Sequence, residues 1–168
     1  TTLLNLISTI DLVSAGHILI NGQDITEISE KHLARFRREN LGFVFQDFNL
    51  LDTLTLEENI GLALSLNNTD PETVQRRVRE MAARLEIMDV LEKFPYQVSG
   101  GQKQRAACAR AMVAGQSLLL ADEPTGALDS KASKNLLEIM TRMNRDMGAT
   151  ILMVTHDAYS ASYAARVL

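Results

Sequence analysis

Several polar side chains of this sequence stand where they could meet one ligand. Four of them follow an apolar run directly or within two residues, namely Gln46, Asp122, Glu123 and His156. A Ser-Gly-Gly-Gln sequence at residues 99–102 comes directly before a helical pattern. Taken singly, Gln46 and His156 are more often ordinary strand-end residues. Because ligands bind at the carboxyl ends of the strands in open α/β sheets, the joint placement predicts a ligand site at that edge.

The Ser-Gly-Gly sequence is suited to bind a phosphate group. Ser99 can cap the following helix, and Gly100 and Gly101 have no side chain to keep an anion away from the backbone N–H groups. The helix dipole attracts negative charge to the same place. The alternative is a serine-capped glycine loop without a ligand. We favour the phosphate site, because chance produces Ser-Gly-Gly-Gln in only about one of several hundred chains of this length.

The two neighbouring carboxylates suit a metal ion and a proton transfer. Magnesium binds through one or two carboxylates and keeps several waters, so Asp122 is the predicted metal ligand. Glu123 could accept a proton from a water that attacks a phosphoryl group. The alternative, a solvated acidic strand end, is disfavoured because residues 118–121 are entirely apolar.

Three apolar strands are predicted to position these groups, at residues 41–45, 117–121 and 149–154. An Asn-Gly turn at residues 21–22 predicts a short hairpin before them. Apolar spacing and capping residues predict helices at residues 3–7, 56–64, 102–114, 131–147 and 156–165, with Gly148 as the C-terminal cap of the helix at residues 131–147. Ser29 is predicted to open another helix that contains Leu33 and Phe36, and Asp70 to cap the start of a further one. Strands that alternate with helices indicate an α/β fold with a mainly parallel sheet and helices on both faces.

Composition places the chain among ordinary globular domains. Of its 168 residues, 46% are hydrophobic and 23% are charged, and the net charge is −4. Neither half of the sequence is net positive, which argues against nucleic acid as a partner. The single cysteine, Cys108, cannot form an internal disulfide and is predicted to be a small buried residue. The longest apolar runs are too short to span a bilayer, so any membrane role is expected to come through a partner.

Five motifs of this chain resemble those of the ABC ATPases. Residues 98–102 (Val-Ser-Gly-Gly-Gln) resemble the signature motif, residues 118–123 the Walker B strand, and residues 126–129 (Gly-Ala-Leu-Asp) the D-loop. Gln46 matches the Q-loop and His156 the H-loop. All five occur in the family's order and spacing, so the resemblance covers the whole chain.

The resemblance implies a fold and a division of the chain. The fold is the α/β core of the P-loop NTPases, which is RecA-like, with a helical signature subdomain. The catalytic core would consist of residues 1–46 and 115–168, and the signature subdomain of residues 47–114.

The resemblance also implies roles around ATP and Mg²⁺. Magnesium would be held by Thr1, Gln46 and Asp122. Glu123 would act as the general base, assisted by His156 at the γ-phosphate and by Gln46 near the attacking water. The residues that would contact nucleotide are Thr1, Thr2, Gln46, Ser99, Gly100, Gly101, Gln102, Asp129 and His156. In this family the signature residues act on nucleotide held by the opposite subunit, so a head-to-tail dimer is expected.

The family's phosphate-binding loop, G-x-x-x-x-G-K-[ST], is absent from this sequence. The first residues, Thr-Thr-Leu-Leu-Asn, resemble the sequence that directly follows its lysine. We therefore expect a fragment that is truncated at both ends, and we expect the fragment alone to be inactive as an ATPase. The parent protein would be active.

Residues 46–60 and 123–130 are similar to the macrolide-exporter and lipoprotein-release ATPases. Residues 36–52 are most similar to the bacitracin-type peptide-resistance transporters of bacteria. This resemblance implies a cytoplasmic subunit, peripheral at the inner face of the membrane, that powers a permease. The candidate dock for the permease is residues 47–66, from Asp47 to Leu66, where Phe48, Leu50 and Leu51 are expected to be exposed. The alternative there is ordinary subdomain core. Two other readings remain, an ABC ATPase of a non-transport membrane process such as cell division, and a nucleotide-free interaction module.

Overall fold

A computed structural model describes residues 2–168 of the chain. The α-helices are α1 (Thr2–Ile7), α2 (Glu30–Asn40), α3 (Leu56–Ser65), α4 (Pro71–Arg84), α5 (Gly100–Met112), α6 (Ser130–Met147) and α7 (Ala158–Ala161). The strands are β1 (Leu19–Ile20), β2 (Gln23–Asp24), β3 (Leu41–Phe45), β4 (Leu118–Asp122) and β5 (Thr150–Val154). Short 3₁₀ turns lie at Ile25–Glu27, Met88–Val90 and Pro95–Gln97.

The longer strands form a parallel sheet in the order β3-β4-β5, while β1 and β2 form a separate antiparallel hairpin. The parallel register aligns the last residues of the strands, Phe45 with Asp122 and Asp122 with Val154. The predicted parallel sheet and hairpin are thus confirmed. The three strands also end on one line, so the residues that follow them start from neighbouring positions.

Side chains of β4 alternate between two hydrophobic clusters because successive residues of a strand point to opposite faces. Leu119 and Ala121 belong to a cluster with helices α3 to α6. Leu120 belongs to a second cluster that includes Leu4 of α1 and Phe36 of α2. Helices therefore cover both faces of the sheet, as the sequence predicts.

Helix α5 packs closely against β3 because small residues occupy the contact. A Cβ atom added at Gly42 of β3 would lie 2.2 Å from the backbone oxygen of Ala111. Ala106, Ala107 and Cys108 of α5 are fully buried. Burial raises the pKa of the Cys108 thiol to about 12, so this side chain is the small buried residue that the sequence predicts.

Helix α6 is amphipathic and is the longest helix among the described residues, with 18 residues. Its buried residues are Leu136, Leu137, Ile139, Met140 and Met143. Gly148 ends it in the left-handed conformation with φ 67°, as predicted from its position. Across residues 2–168, no helix is both long enough and apolar enough to cross a membrane.

Helices α1 and α7 differ most from the sequence-based expectation. The predicted buried helix at residues 3–7 is present, but Leu3 is exposed and only Leu4 is fully buried, because adjacent helical residues cannot share one face. The last helix was expected to reach Ala165 but ends at Ala161. There the Ser162 hydroxyl donates to the carbonyl oxygen of Tyr159, which competes with continuation of the helix.

Candidate functional site

The carboxyl edge of the sheet gathers the residues that the sequence singles out. Asp122 is the last residue of β4, and Glu123 follows it. Gln46 and Thr155 follow β3 and β5 at the equivalent positions in the register. His156 is next to Thr155, so three strands bring these five side chains to one edge although they are far apart in sequence.

Glu123 is held by an unusual backbone conformation and by several hydrogen bonds. Its φ is 47°, a left-handed value that is rare for a residue with a side chain. Its N–H donates to the carbonyl oxygen of Val154 over 2.9 Å, which extends the β4–β5 pairing by one residue. Its carboxylate accepts from the Thr155 hydroxyl at 3.1 Å and from the His156 backbone N–H at 2.9 Å. Such backbone strain is common where function fixes a side chain.

The side chains of Glu123 and His156 are hydrogen-bonded to each other although 33 residues of sequence separate them. The Nδ1 atom of His156 lies 2.8 Å from Oε1 of Glu123. Burial opposes ionisation of Glu123, but the hydrogen bonds from His156 and Thr155 outweigh it and lower the pKa of the carboxyl. The hydrogen bond and the charge of Glu123 raise the pKa of His156 above its ordinary value. The imidazole is 86% exposed and the carboxylate 21%, so the pair opens to solvent on the His156 side.

Gln46 lies against the loop that follows Glu123. A Cβ atom added at Gly126 would be 2.9 Å from Cδ of Gln46, so only glycine leaves room for the carboxamide. The N–H of Gly126 donates to the carbonyl oxygen of Glu123 at 3.0 Å and closes this turn. The side-chain amide of Gln46 therefore packs against the turn that begins at Glu123, at the same edge of the sheet.

Ser99 caps α5 as predicted, but the helix begins at Gly100, two residues before the predicted start at Gln102, so the Ser-Gly-Gly-Gln sequence forms its first turn. The Ser99 hydroxyl oxygen accepts from the Gln102 N–H at 3.3 Å, and the Gln102 side-chain oxygen accepts from the Ser99 N–H at 2.9 Å. This capping box satisfies two N-terminal groups of the helix and fixes where it begins.

The start of α5 lies beside the segment that follows Glu123 in the same chain. A Cβ added at Gly100 would lie 3.6 Å from Leu128, and one added at Gly101 would lie 3.2 Å from Ala132. Asp129 caps α6, because its carboxylate accepts from the Ala132 N–H at 2.8 Å. The residues that resemble the signature motif therefore pack on Leu128 and the first turn of α6.

A strained turn follows Gln46, and the sequence did not predict it. Phe48 and Asn49 have φ values of 62° and 50°. The guanidinium of Arg110 in α5 donates to the backbone oxygens of both residues. The Lys103 ammonium lies 5.9 Å from the centre of the Phe48 ring. Phe48, expected to be exposed, is half-buried because α5 contacts it in these two ways.

The structure thus joins Gln46, Asp122, Glu123 and His156 at one edge and puts residues 99–102 and Asp129 on the adjoining elements. Thr2 is exposed at the start of α1. Thr1, predicted as a magnesium ligand, lies outside the described residues.

Sequence reasoning missed Thr155, Arg110 and Gln104 as parts of the site. Thr155 could have been found from its place beside His156 after β5. Arg110 and Gln104 lie in a helix that also contains Gln102, Lys103 and Arg105, so their residue types alone did not single them out.

The residues at this edge fit a magnesium nucleotide by their donor chemistry. Asp122 supplies carboxylate oxygens at a strand end and Gln46 an amide oxygen, and oxygen atoms are the ligands that magnesium prefers. His156 presents an exposed ring with a raised pKa, which suits contact with a phosphate oxygen.

A groove of about 790 Å³ lies along the outer side of β3. The apolar side chains that line it include Phe45 of β3, Leu62 of α3 and Leu66, which directly follows α3. Arg37, Arg38 and Arg110 also line it, and no carboxylate does among the described residues. The groove is therefore apolar in its walls and positively charged at its polar groups.

Comparison with known proteins identifies the family. The profile of the family described as ABC transporter matches residues 1–126. The chain belongs to the ABC transporter family. Two solved structures of the ATP-binding cassette MJ0796 share the fold at a TM-score of 0.84, with 36% and 35% identity over 96% of this chain and 72% of theirs. One is described as the dimer of a bacterial ABC transporter cassette, and the other as a post-hydrolysis dimer bound to ADP and Pi.

Several curated ABC transporter proteins are similar over the whole chain. The ATP-binding protein YxdL of Bacillus subtilis is 55% identical, and the bacitracin export ATP-binding protein BceA of Halalkalibacterium halodurans is 49% identical. The chain spans 65% and 66% of the length of these two relatives. The macrolide export ATP-binding/permease protein MacB of Campylobacter jejuni is 40% identical, and the chain covers 26% of it.

Proposed function

We propose that this chain is the greater part of an ATP-hydrolysing subunit that powers a bacterial membrane permease. The observation that carries the proposal is the arrangement of Glu123. Its carboxylate is fixed beside His156 and Thr155 at the strand edge, and Gln46 lies across the Gly126 turn. Phosphoryl transfer to water depends mainly on positioning and charge, and this edge offers a carboxylate base, an imidazole and an amide in a fixed array.

Each residue has a distinct task in the proposed reaction. Glu123 accepts a proton from the water whose oxygen attacks the γ-phosphorus of ATP, while the bond to the ADP oxygen breaks. His156 leaves its contact with Glu123 and donates to the γ-phosphate. Asp122, Gln46 and Thr1 are the residues that would hold Mg²⁺, which supplies charge neutralisation when bound.

We further propose that two copies are needed, arranged head to tail. The signature residues Ser99, Gly100, Gly101 and Gln102 would then bind the γ-phosphate held by the other copy, with Asp129 at the contact. The α5 N-terminus presents backbone N–H groups and a positive dipole end, which suit a phosphate. The dimeric descriptions of the MJ0796 cassette support this arrangement.

We propose that residues 47–114 act as the signature subdomain and that the permease docks along the groove beside β3. Leu62, Ala63 and Leu66 fall within the predicted dock at residues 47–66. The occupant would be a cytoplasmic helix of the permease with an apolar stripe and acidic residues, because arginines are the charged groups of the groove. The subunit would then lie on the cytoplasmic face of the membrane.

The transported substrate is proposed from the relatives' names. BceA is named for bacitracin export, and MacB for macrolide export. Export of, or resistance to, an antimicrobial peptide is therefore the transport that we propose for the whole protein.

ATP hydrolysis by the complete protein tests the reaction. Glu123→Gln should lower kcat by about 10²- to 10⁴-fold, which is the usual contribution of a general base. The matched control is Glu138→Gln, because Glu138 is exposed on α6 and pairs with Lys134. Equal rates for Glu123→Gln and Glu138→Gln would refute the assignment of Glu123.

Mg-ATP calorimetry tests the dependence on a phosphate loop. Residues 1–168 contain no G-x-x-x-x-G-K-[ST] sequence, and we propose that they neither bind nor hydrolyse ATP by themselves. The complete protein should bind and this segment should not. Binding by the segment alone would show that another loop cradles the phosphates.

Co-purification with the permease tests the dock. Leu66→Asp places a carboxylate at the groove on a side chain that is 63% exposed and should release the permease. Leu12→Asp is the matched control, because Leu12 is 88% exposed and does not line the groove. Retention of the permease by Leu66→Asp would place the dock elsewhere.

A further inference from the structure

Gln104 occupies a position between the two strand ends that carry the candidate catalytic residues. It lies in α5 and is fully buried. Its side-chain amide donates to the carbonyl oxygen of Phe45 at 3.1 Å and to that of Pro124 at 2.7 Å. Phe45 directly precedes Gln46, and Pro124 directly follows Glu123.

The orientation of this amide follows from its neighbours. If the oxygen and nitrogen of Gln104 were exchanged, the oxygen would face two carbonyl oxygens and no hydrogen bond would form. As placed, Oε1 is buried and meets no hydrogen-bond donor among residues 2–168. A buried acceptor without a donor costs folding free energy, so the two hydrogen bonds from Nε2 are the favourable polar interactions of this side chain.

The two acceptors lie where the sheet no longer joins β3 to β4. The register of these strands ends with Phe45 and Asp122, and the chain on each side then turns into a loop. The side chain of Gln104 therefore connects the end of β3, at Phe45, with the loop after β4, at Pro124. The carbonyl oxygen of Phe45 also accepts from the N–H of Phe48, so the same atom anchors the strained turn.

We propose that Gln104 is a positioning residue for ATP hydrolysis, which keeps Gln46 and Glu123 at a fixed separation and ties both to the helix that carries the signature residues. This inference rests on the proposed function. Displacing a reacting group by about 1 Å can lower a rate about 100-fold, so a single pair of hydrogen bonds at this place can control kcat.

The test compares two buried glutamines in the complete protein. Gln116 resembles Gln104 chemically, since its Nε2 donates to the Arg38 carbonyl oxygen at 3.2 Å and its buried Oε1 has no donor among the described residues. Gln104→Met should lower kcat by about tenfold to 100-fold. It should leave the KM for ATP within about twofold, since ground-state binding is unchanged. Gln116 lines the groove proposed for the permease and lies before β4, at the opposite end of this strand from Glu123. Gln116→Met should therefore leave both within about twofold when hydrolysis is measured without the permease.

A second measurement does not depend on activity. Hydrogen exchange of the Phe48 amide should become about tenfold faster in Gln104→Met and stay unchanged in Gln116→Met, because local opening controls exchange. Unchanged Phe48 exchange, or equal losses of kcat in both variants, would overturn the role of Gln104. If the unsubstituted protein hydrolyses no ATP, the proposed function fails, and the exchange comparison still decides whether Gln104 holds the loop.

Discussion

Replacing Gly42 by alanine is expected to force α5 away from β3. The added Cβ would lie 2.2 Å from the Ala111 oxygen, 3.0 Å from its carbonyl carbon and 3.1 Å from Leu119 Cδ1. The first two of these atoms belong to backbone, so no side-chain rotation relieves the overlap. Ordinary contact distances are about 3.5 Å, and restoring one requires a shift of roughly 1 Å between the helix and the strand.

The magnitude follows from two opposing effects. Overpacking a close-packed interior costs about 1–3 kcal/mol, and a clash between backbone segments belongs at the upper end of that range. Alanine also restricts the unfolded chain, which returns about 0.4–1 kcal/mol. We therefore expect Gly42→Ala to lower the free energy of unfolding by about 2 kcal/mol.

Urea unfolding of the complete protein, followed by far-UV circular dichroism, measures this change. Circular dichroism needs no tryptophan, and residues 1–168 contain none. Gly61→Ala is the matched control. Its Cβ would meet only side-chain atoms, at 3.0 Å from Val74 Cγ1 and 3.4 Å from Val78 Cγ2, and alanine favours the α3 helix by about 1 kcal/mol. Equal unfolding free energies for the two variants would refute the close backbone contact as the determinant of α5 packing.

Three further predictions concern the site and the core. Gly126→Ala should change the free energy of unfolding by less than about 1 kcal/mol, because the obstacle is the flexible Gln46 side chain, yet it should lower ATP turnover by displacing that side chain. In an NMR titration, the pKa of His156 should lie above its ordinary value and should fall in Glu123→Gln. Above that raised pKa the imidazole is neutral and its charge interaction with Glu123 is lost. An unchanged pKa in Glu123→Gln would contradict the contact. Cys108 should react with a thiol reagent only after unfolding, because it is buried and its pKa is about 12; rapid labelling of the folded protein would contradict its burial.

Local patterns predicted most of the secondary structure because the relevant interactions are short in range. The strand at residues 41–45 is observed as predicted, and the predicted caps at Asp70 and Gly148 are present. The predicted last helix is too long, because apolar spacing does not reveal where a serine hydroxyl donates a hydrogen bond to a backbone carbonyl of the helix. Ser162, four residues after the first residue of this helix, determines where the helix ends.

The candidate site was predictable in its members but not in its contacts. Polar residues at strand ends identify Gln46, Asp122, Glu123 and His156, since parallel strands place their carboxyl ends at one edge. The hydrogen bond from Arg110 to the backbone oxygen of Phe48 joins residues 62 apart in sequence, and no periodicity predicts it. Such contacts depend on how α5 lies over β3, which in turn depends on the absence of a side chain at Gly42.

The sequence by itself determined the family resemblance, the α/β fold and the residue types available for phosphate chemistry, because motif order, apolar periodicity and capping are written along the chain. Only the tertiary structure decided which of these residues touch. The hydrogen bond between Glu123 and His156 needs the β4–β5 register, and the two hydrogen bonds of Gln104 need α5 packed on the sheet. A hydrogen bond requires positions accurate to a few tenths of an ångström, and packing between elements sets positions at that accuracy.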